Sequence, residues 1–207
     1  MERGVLAVVS GFSGSGKGTL MKRLVELYDN YALSVSATTR SPREGEREGV
    51  EYFFRTEEEF AAMIAQDAFL EHARYVEHAY GTPAAYVEEQ LELGRDVLLE
   101  IETQGALQVK GKCPEAVLLF ITPPTVAELE RRLVGRQTES GEDIQNRLRR
   151  ASEEAEVMEQ YDYIIINDDI DEAVKRIHGI LMGQRCRASA CDSFIRNIRK
   201  ELKEREE

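Results

Sequence analysis

Apolar positions along the chain fall into two alternating patterns. Near-continuous runs rich in Val, Ile and Leu occupy residues 5–10, 32–36, 96–102, 116–122 and 163–166, as expected of strands covered on both faces. Between them stand segments with helical spacing. The first places Leu20, Met21, Leu24, Leu27 and Tyr28 on one face and ends at Asp29-Asn30, a helix stop. Strands alternating with helices predict an α/β fold, a mainly parallel sheet flanked by helices.

Residues 40–93 break this rhythm. A polar, turn-rich stretch, Ser41-Pro42-Arg43-Glu44-Gly45, leads to the short aromatic piece Tyr52-Phe53-Phe54. The segment reads as an inserted lobe, residues 37–93, in a core formed by 1–36, 94–134 and 160–187. Within it, Thr56-x-x-Glu59 predicts a capping box opening a helix through Gln66, and Thr82-Pro83 the N-cap and first turn of a helix ending before Gly94. Thr122-Pro123-Pro124-Thr125 predicts the end of a strand and the start of a helix over 126–134. The polar stretch from Gly135 to Gly141 has the composition of a mobile flap; with the helical pattern over 142–160 it makes a lid, residues 135–159. In the last segment, 188–207, Phe194, Ile195, Ile198 and Leu202 share one helical face, with Arg196, Arg199, Lys200 and Lys203 on others. This predicts a surface helix docked on its own domain or a frayed tail, with a contact between two copies as the alternative.

The 207 residues suit one domain with inserted lobes, and 42% hydrophobic against 32% charged residues exclude global disorder. A net charge of −12 argues against sequence-independent nucleic-acid binding or a polybasic membrane contact. An anionic ligand must therefore meet a local cluster of cations. Three cysteines without metal-ligand spacing, no leader pattern and no bilayer-length apolar run fit a soluble protein of the cytoplasm, monomeric or homodimeric.

The most telling local pattern is Gly11-Phe12-Ser13-Gly14-Ser15-Gly16-Lys17-Gly18-Thr19, between a buried-type strand and a helix. Glycines let backbone amides converge on phosphate oxygens, the helix N-terminus adds its dipole, and Lys17 brings a charge to the terminal phosphates. A second cluster, Ser34 to Arg43, joins hydroxyls to Arg40 and Arg43 at the exit of the second strand, where an open α/β sheet binds ligands. A third set, Arg131, Arg132, Arg136, Arg147, Arg149 and Arg150, offers the cations that phosphoryl transfer requires.

Several ordered motifs extend these clusters over residues 5–183: Ser36-x-Thr38-Thr39-Arg40-x-Pro42-Arg43-x-Gly45-Glu46, Gly49-x-x-Tyr52, Phe69-Leu70-Glu71, Tyr80-Gly81-Thr82-Pro83, Glu100-Ile101-Glu102-x-Gln104-Gly105-Ala106, Arg132-x-x-x-Arg136-x-Thr138-Glu139 and Ile166-Asn167-Asp168-Asp169. Taken with the glycine loop, they resemble the guanylate kinase family. The resemblance implies transfer of the ATP γ-phosphate to GMP or dGMP, with Mg²⁺, on a phosphate-loop core carrying a GMP-binding lobe and a lid. It assigns Gly11 to Thr19, with Asn167 and Asp168 beside the adenine, to ATP. Ser36, Arg40, Arg43, Tyr52 and Tyr80 fall to the GMP phosphate, and Glu71, Thr82 and Glu102 to the guanine. It further implies that Lys17, Arg132, Arg136 and Arg147 act on the transferring phosphate, with Arg40 also counted among the catalytic cations, and that Thr19 and Glu100 lie near the metal. The chemistry of the base agrees, because guanine presents N1–H and N2–H₂ as adjacent donors to a carboxylate, whereas adenine turns an acceptor toward it.

The sequence departs from the family in places. Glu100 and Glu102 stand where many members carry Asp, Gln137 replaces a Gly, and Gly18 takes the place of Ser or Thr in the strict loop pattern. Residues 188–207 have no clear counterpart in the resemblance. Rival expectations are a related kinase acting on another phosphorylated acceptor such as ribose bisphosphate, against which Glu71, Tyr80 and Thr82 speak, and a non-catalytic binding module, which would not keep Lys17 and its glycines.

Overall fold

A computed structural model describes residues 3–75, 77–135 and 141–205. In chain order the elements are β1 Leu6–Gly11, α1 Lys17–Leu27, β2 Tyr31–Leu33, β3 Ala37–Thr38, β4 Phe53–Phe54, α2 Glu57–Ala65, β5 Phe69–Tyr75, β6 His78–Pro83, α3 Ala84–Glu92, β7 Asp96–Glu100, α4 Thr103–Lys112, β8 Val117–Thr122, α5 Val126–Val134, α6 Gly141–Ala155, β9 Tyr163–Ile166, α7 Ile170–Arg185 and α8 Asp192–Lys203. The five apolar runs all enter one parallel sheet in the order β2-β7-β1-β8-β9. A second sheet, β4-β3-β6-β5, is mixed.

Alternation along β1 sends Ala7 and Val9 to one face and Leu6 and Val8 to the other. On the first face they meet Leu20 and Leu24 of α1 and Val174, Ile177 and Leu181 of α7. On the second they meet Val87 and Leu91 of α3 and Ala106 and Val109 of α4. Burial on both sides is why β1, β7 and β8 read as continuous apolar runs. The run at 163–166 departs from that expectation: β9 is an edge strand with only Ile165 buried. The second sheet rests on a smaller core of Ala37, Phe60, Phe69 and Ala79.

Several boundaries move. The run at 32–36 is not one strand: β2 stops at Leu33, and the chain crosses to the other sheet, where Ser36 O accepts from Phe53 N at 2.9 Å. Thr82 does not cap α3. It lies inside β6, its hydroxyl donating to Glu71, and Pro83 takes the N-cap position. The capping box at Thr56 and Glu59 forms as expected, with both reciprocal hydrogen bonds in place. The helix expected over 142–160 ends at Ala155, followed by a 3₁₀ turn, Met158–Gln160. The expected docking of the last helix is not found. No α8 residue is buried, and Phe194 and Leu202 are 61% and 59% exposed.

Candidate active site

The C-terminal ends of β1, β7, β8 and β9 converge on the loop from Gly11 to Thr19. Gly11 (φ 145°) lets that loop pass against β8, since a Cβ there would lie 2.1 Å from Ile121 O. Gly16 (φ 91°) is the N-cap of α1 and provides no side-chain cap, leaving the helix N-terminus open to an anion. Lys17 folds over the loop, Nζ donating to Gly11 O at 2.8 Å and Phe12 O at 3.2 Å. Ser15 Oγ is buried without a hydrogen-bond partner, an unmet polar atom in a loop shaped to take phosphate.

Two predicted arginines reach this loop from separate helices. Arg147 of α6 donates to Ser13 Oγ at 2.9 Å. Arg132 of α5 donates to Glu128 Oε1 at 2.7 Å and Asn167 O at 2.9 Å. Arg131 and Arg132 together hold the Glu128 carboxyl down at about 2. Asn167 is buried, its amide donating to Ser15 O at 2.8 Å, so it braces the loop from β9, while Asp168 is exposed. Arg136 lies outside the described residues, as does the rest of the expected flap at 136–140.

The second half of the site is built from side chains. The β5–β6 pairing sets Glu71 opposite Thr82, and Thr82 Oγ1 donates to Glu71 Oε1 at 2.7 Å. Both are buried, and burial raises the Glu71 carboxyl above the ordinary range despite that hydrogen bond. Beside them Arg40 grips Glu46 with Nη2 at 2.8 and 2.9 Å and lies over the Tyr52 ring at 5.3 Å; Tyr52 and Tyr80 are 6.1 Å apart between centroids. Arg43 is exposed, its backbone N–H donating to Glu46 at 2.8 Å, and Ser36 lies at the crossing between the sheets.

One short segment, 100–105, joins the two halves. A Cβ on Gly18 would lie 3.7 Å from Glu100 Oε2, which places this carboxylate above the start of α1. Desolvation by the cleft raises Glu100, Lys17 opposing and Glu102 adding. Thr19 is exposed on the first turn of α1. Glu102 is the N-cap residue of α4 and accepts from Arg150 Nη2 at 3.0 Å. Gly105 leaves room for Glu71, since a Cβ there would come within 2.9 Å of Glu71 Oε2. One carboxylate above an open loop suits a hard cation that keeps most of its waters, as Mg²⁺ does. Among the described residues no group of three or more His, Cys, Asp or Glu could hold a metal ion.

Sequence reading missed two residues. Glu154 of α6 is buried, and burial, with Glu102 adding and Arg150 and Lys17 opposing, pushes its carboxyl up to about 7. An acidic residue amid the polar pattern of α6 carries no mark of burial. Gly105 stood inside a quoted motif, but its reason is a contact 34 positions away in sequence. A cavity of about 720 Å³ lies elsewhere, against Lys110, Asp162, Tyr163 and Gly183, at the strand starts opposite the convergence.

Comparison with known proteins places this arrangement. The guanylate kinase family model matches residues 3–184. A guanylate kinase of Caldanaerobacter subterraneus subsp. tengcongensis is 49% identical over 200 residues, covering 97% of either chain. One from Bacillus cereus is 48% identical over 198 residues, covering 95% of this chain and 97% of the relative. A crystal structure of guanylate kinase from Anaplasma phagocytophilum superposes with TM-score 0.69 at 35% identity, covering 90% of this chain and 89% of that one. An alignment of 200 of the 207 residues also reaches into 188–207, so that segment does have a counterpart in a relative.

Proposed function

The chain belongs to the guanylate kinase family, and from that premise we propose that it transfers the γ-phosphate of ATP to GMP, and to dGMP, giving ADP and the nucleoside diphosphate by in-line displacement. The observation that carries the reading is the bridge from Glu100 to Gly105, which links a glycine loop topped by Lys17 to a buried Glu71–Thr82 pair. A phosphate loop alone serves many reactions. A buried carboxylate at the far end of the cleft selects a base with adjacent donors.

ATP phosphates would lie on the amides of the loop and the start of α1, and Lys17 would exchange its carbonyl partners for phosphate oxygens. Asn167, through Ser15, keeps the loop in shape, and Asp168 beside it would face the adenine. Glu71 and Glu102 would accept the guanine N–H groups, with Thr82 orienting Glu71. Ser36, Arg40, Arg43, Tyr52 and Tyr80 would hold the GMP phosphate, Arg40 leaving Glu46 for a second anion. An oxygen of that phosphate attacks the γ-phosphorus as the bond to the ADP oxygen breaks. The nucleophile is already anionic, so alignment and neutralisation replace a general base. Arg132 and Arg147 sit beside the loop to spread the developing charge, and Arg136 belongs to the same set. Mg²⁺ would be held near Glu100 and Thr19, largely through water and phosphate, and supplies charge neutralisation when bound. Cytoplasmic placement agrees with the three free thiols, Cys113, Cys186 and Cys191. No helix among the described residues is long and apolar enough to cross a membrane.

A coupled assay of ADP release with GMP, dGMP, AMP, UMP or no acceptor tests the reading. GMP and dGMP should turn over at least about 100-fold faster than the others. Equal rates with AMP, or ADP release that ignores the acceptor, would refute it.

A further inference from the structure

The transfer site leaves α8 without a use. The helix follows α7, whose end is fixed: Arg185 donates to the buried Asp96 at 2.7 and 3.2 Å and to Gly94 O at 2.7 Å. Asp96 opens β7, so this anchor lies at the strand starts, opposite the nucleotide cleft. The turn between the helices is closed by short-range bonds such as Cys186 N to Gly183 O and Cys191 N to Arg187 O. The chain then leaves the body as α8, with an amphipathic helix but no buried residue.

The apolar positions of α8 follow a definite spacing. Ile195, Ile198 and Leu202 step by three and four, the stripe two helices use to pack along one another, and the N-cap Cys191, half-buried with its Sγ donating to Arg185 O at 3.6 Å, stands four residues before Ile195. Phe194 widens it, and Phe194, Ile198 and Leu202 are 61%, 40% and 59% exposed. Along one flank of the stripe stand Asp192 and Arg199. When two such helices run antiparallel about a two-fold axis, Ile195 meets Ile198 of the other copy, and each Asp192 faces the other copy's Arg199. That charge match occurs twice and selects the orientation. Asp192 is paired with Arg196 of its own helix at 3.1 Å, but both side chains are exposed, a setting in which such a pair is weak and exchangeable. A membrane suits the same face poorly. Asp192, Glu201 and Glu204 interrupt the cations of α8, and the whole chain carries −12.

We propose that α8 is a dimerisation helix, its occupant a second copy of this chain packed α8 against α8 in antiparallel. A helix of 12 residues offers less than the roughly 800 Å² per partner of a standard interface, so association depends on concentration. Because the anchor lies opposite the cleft, the dimer leaves both cleft mouths open.

Sedimentation equilibrium of the full chain from about 5 to about 200 µM tests this, the range in which an interface below standard size titrates. The mass should rise from 23.5 kDa toward twice that value. Ile198→Asp should stay monomeric throughout with unchanged kcat for GMP. Asp192→Arg and Arg199→Asp should each weaken association about 10-fold, and the two together should restore it to within about 3-fold of the unaltered chain. A monomer at every concentration overturns the proposal, whether its α8 then sediments with phosphatidylglycerol vesicles or Ile198→Asp lowers its melting temperature, as docking on its own body would require. So does an Ile198→Asp dimer, or a charge swap that fails to rescue.

Discussion

The two halves of the cleft are made from different materials. On the donor side the backbone is the instrument. Gly11 and Gly16 adopt positive φ, carbonyls of Gly11 and Phe12 hold Lys17, and the carbonyl of Ser15 takes the Asn167 amide. Gly11 ends β1, a strand buried on both faces, and the loop to Lys17 follows it directly, while Asn167 follows the edge strand β9. On the acceptor side the polar groups are side chains bonded to side chains, Glu71 with Thr82 and Arg40 with Glu46, on a sheet whose core has four buried residues. A backbone cradle grips any phosphate chain, whereas a buried carboxylate paired with a hydroxyl chooses a base. On the proposed function, general grip and specific choice fall to separate halves of the cleft.

The largest expected effect breaks the donor side alone. Lys17→Ala removes the charge carried to the phosphates and should lower kcat by about 10²–10⁴, leaving the fold and GMP binding in place. Turnover with each acceptor, together with GMP titration by calorimetry, checks it; near-normal turnover would remove Lys17 from the chemistry. Next comes the acceptor side. Glu71→Gln keeps an oxygen for Thr82 but turns an amide donor toward guanine donors, so kcat/KM for GMP should fall about 10²-fold or more while KM for ATP holds. A fall shared equally by both substrates would mean that Glu71 supports the fold and not the choice of base.

The same division explains what could be read without coordinates. A backbone cradle advertises itself, because only glycine at Gly11, Gly14 and Gly16 permits it, and those glycines stand in a row. The parallel sheet was equally plain at its centre, since β1, β7 and β8, buried on both faces, have few polar positions to blur them. On the acceptor side the cluster holding Arg40 and Arg43 stands out from its residues alone, but the Glu71–Thr82 pair was legible only through resemblance. Glu71 looks like a surface glutamate until β5 pairs with β6 and α4 presents Gly105 to it, and no local spacing encodes that contact. Thr82-Pro83 imitated a helix start for a similar reason: the tertiary partner at Glu71 outcompeted the local cap. Glu154 was hidden because burial of an acid leaves no trace in a helix that is polar almost throughout.

Glu154 sharpens the comparison at the seam, where its carboxyl feels Glu102, Arg150 and Lys17. With its carboxyl raised to about 7 in the fold from an ordinary 4.5, the native state binds the extra proton. Stability contributed by the protonated form is therefore full below about 4.5, declines as pH rises toward 7 and is gone above it. Part of the linkage is offset by solvent reaching the cleft, leaving on the order of 2 kcal/mol across that window. Urea unfolding at pH 5 and pH 8 should show the difference in the native chain and lose most of it in Glu154→Gln. An unaltered pH dependence in the variant would place the proton elsewhere.

The smallest effect asks whether the two halves are also separate in stability. Thr56→Ala removes the hydroxyl that accepts from Glu59 N at 3.1 Å and keeps the backbone N–H of residue 56, which donates to the Glu59 carboxylate at 2.8 Å. Loss of this cap should cost about 1 kcal/mol. α2 touches the molecule chiefly through Phe60, which stacks on Phe69 at 4.6 Å in the small core under the second sheet. If that sheet opens on its own, hydrogen exchange in β5 and β6 should speed up about 5-fold while amides of β1 and β8 keep their rates. If the slowest amides of β1 and β8 accelerate by the same factor, the whole chain unfolds as one unit. The contrast between backbone cradle and side-chain pocket would then be a matter of chemistry alone, with no boundary in the folding energy beneath it.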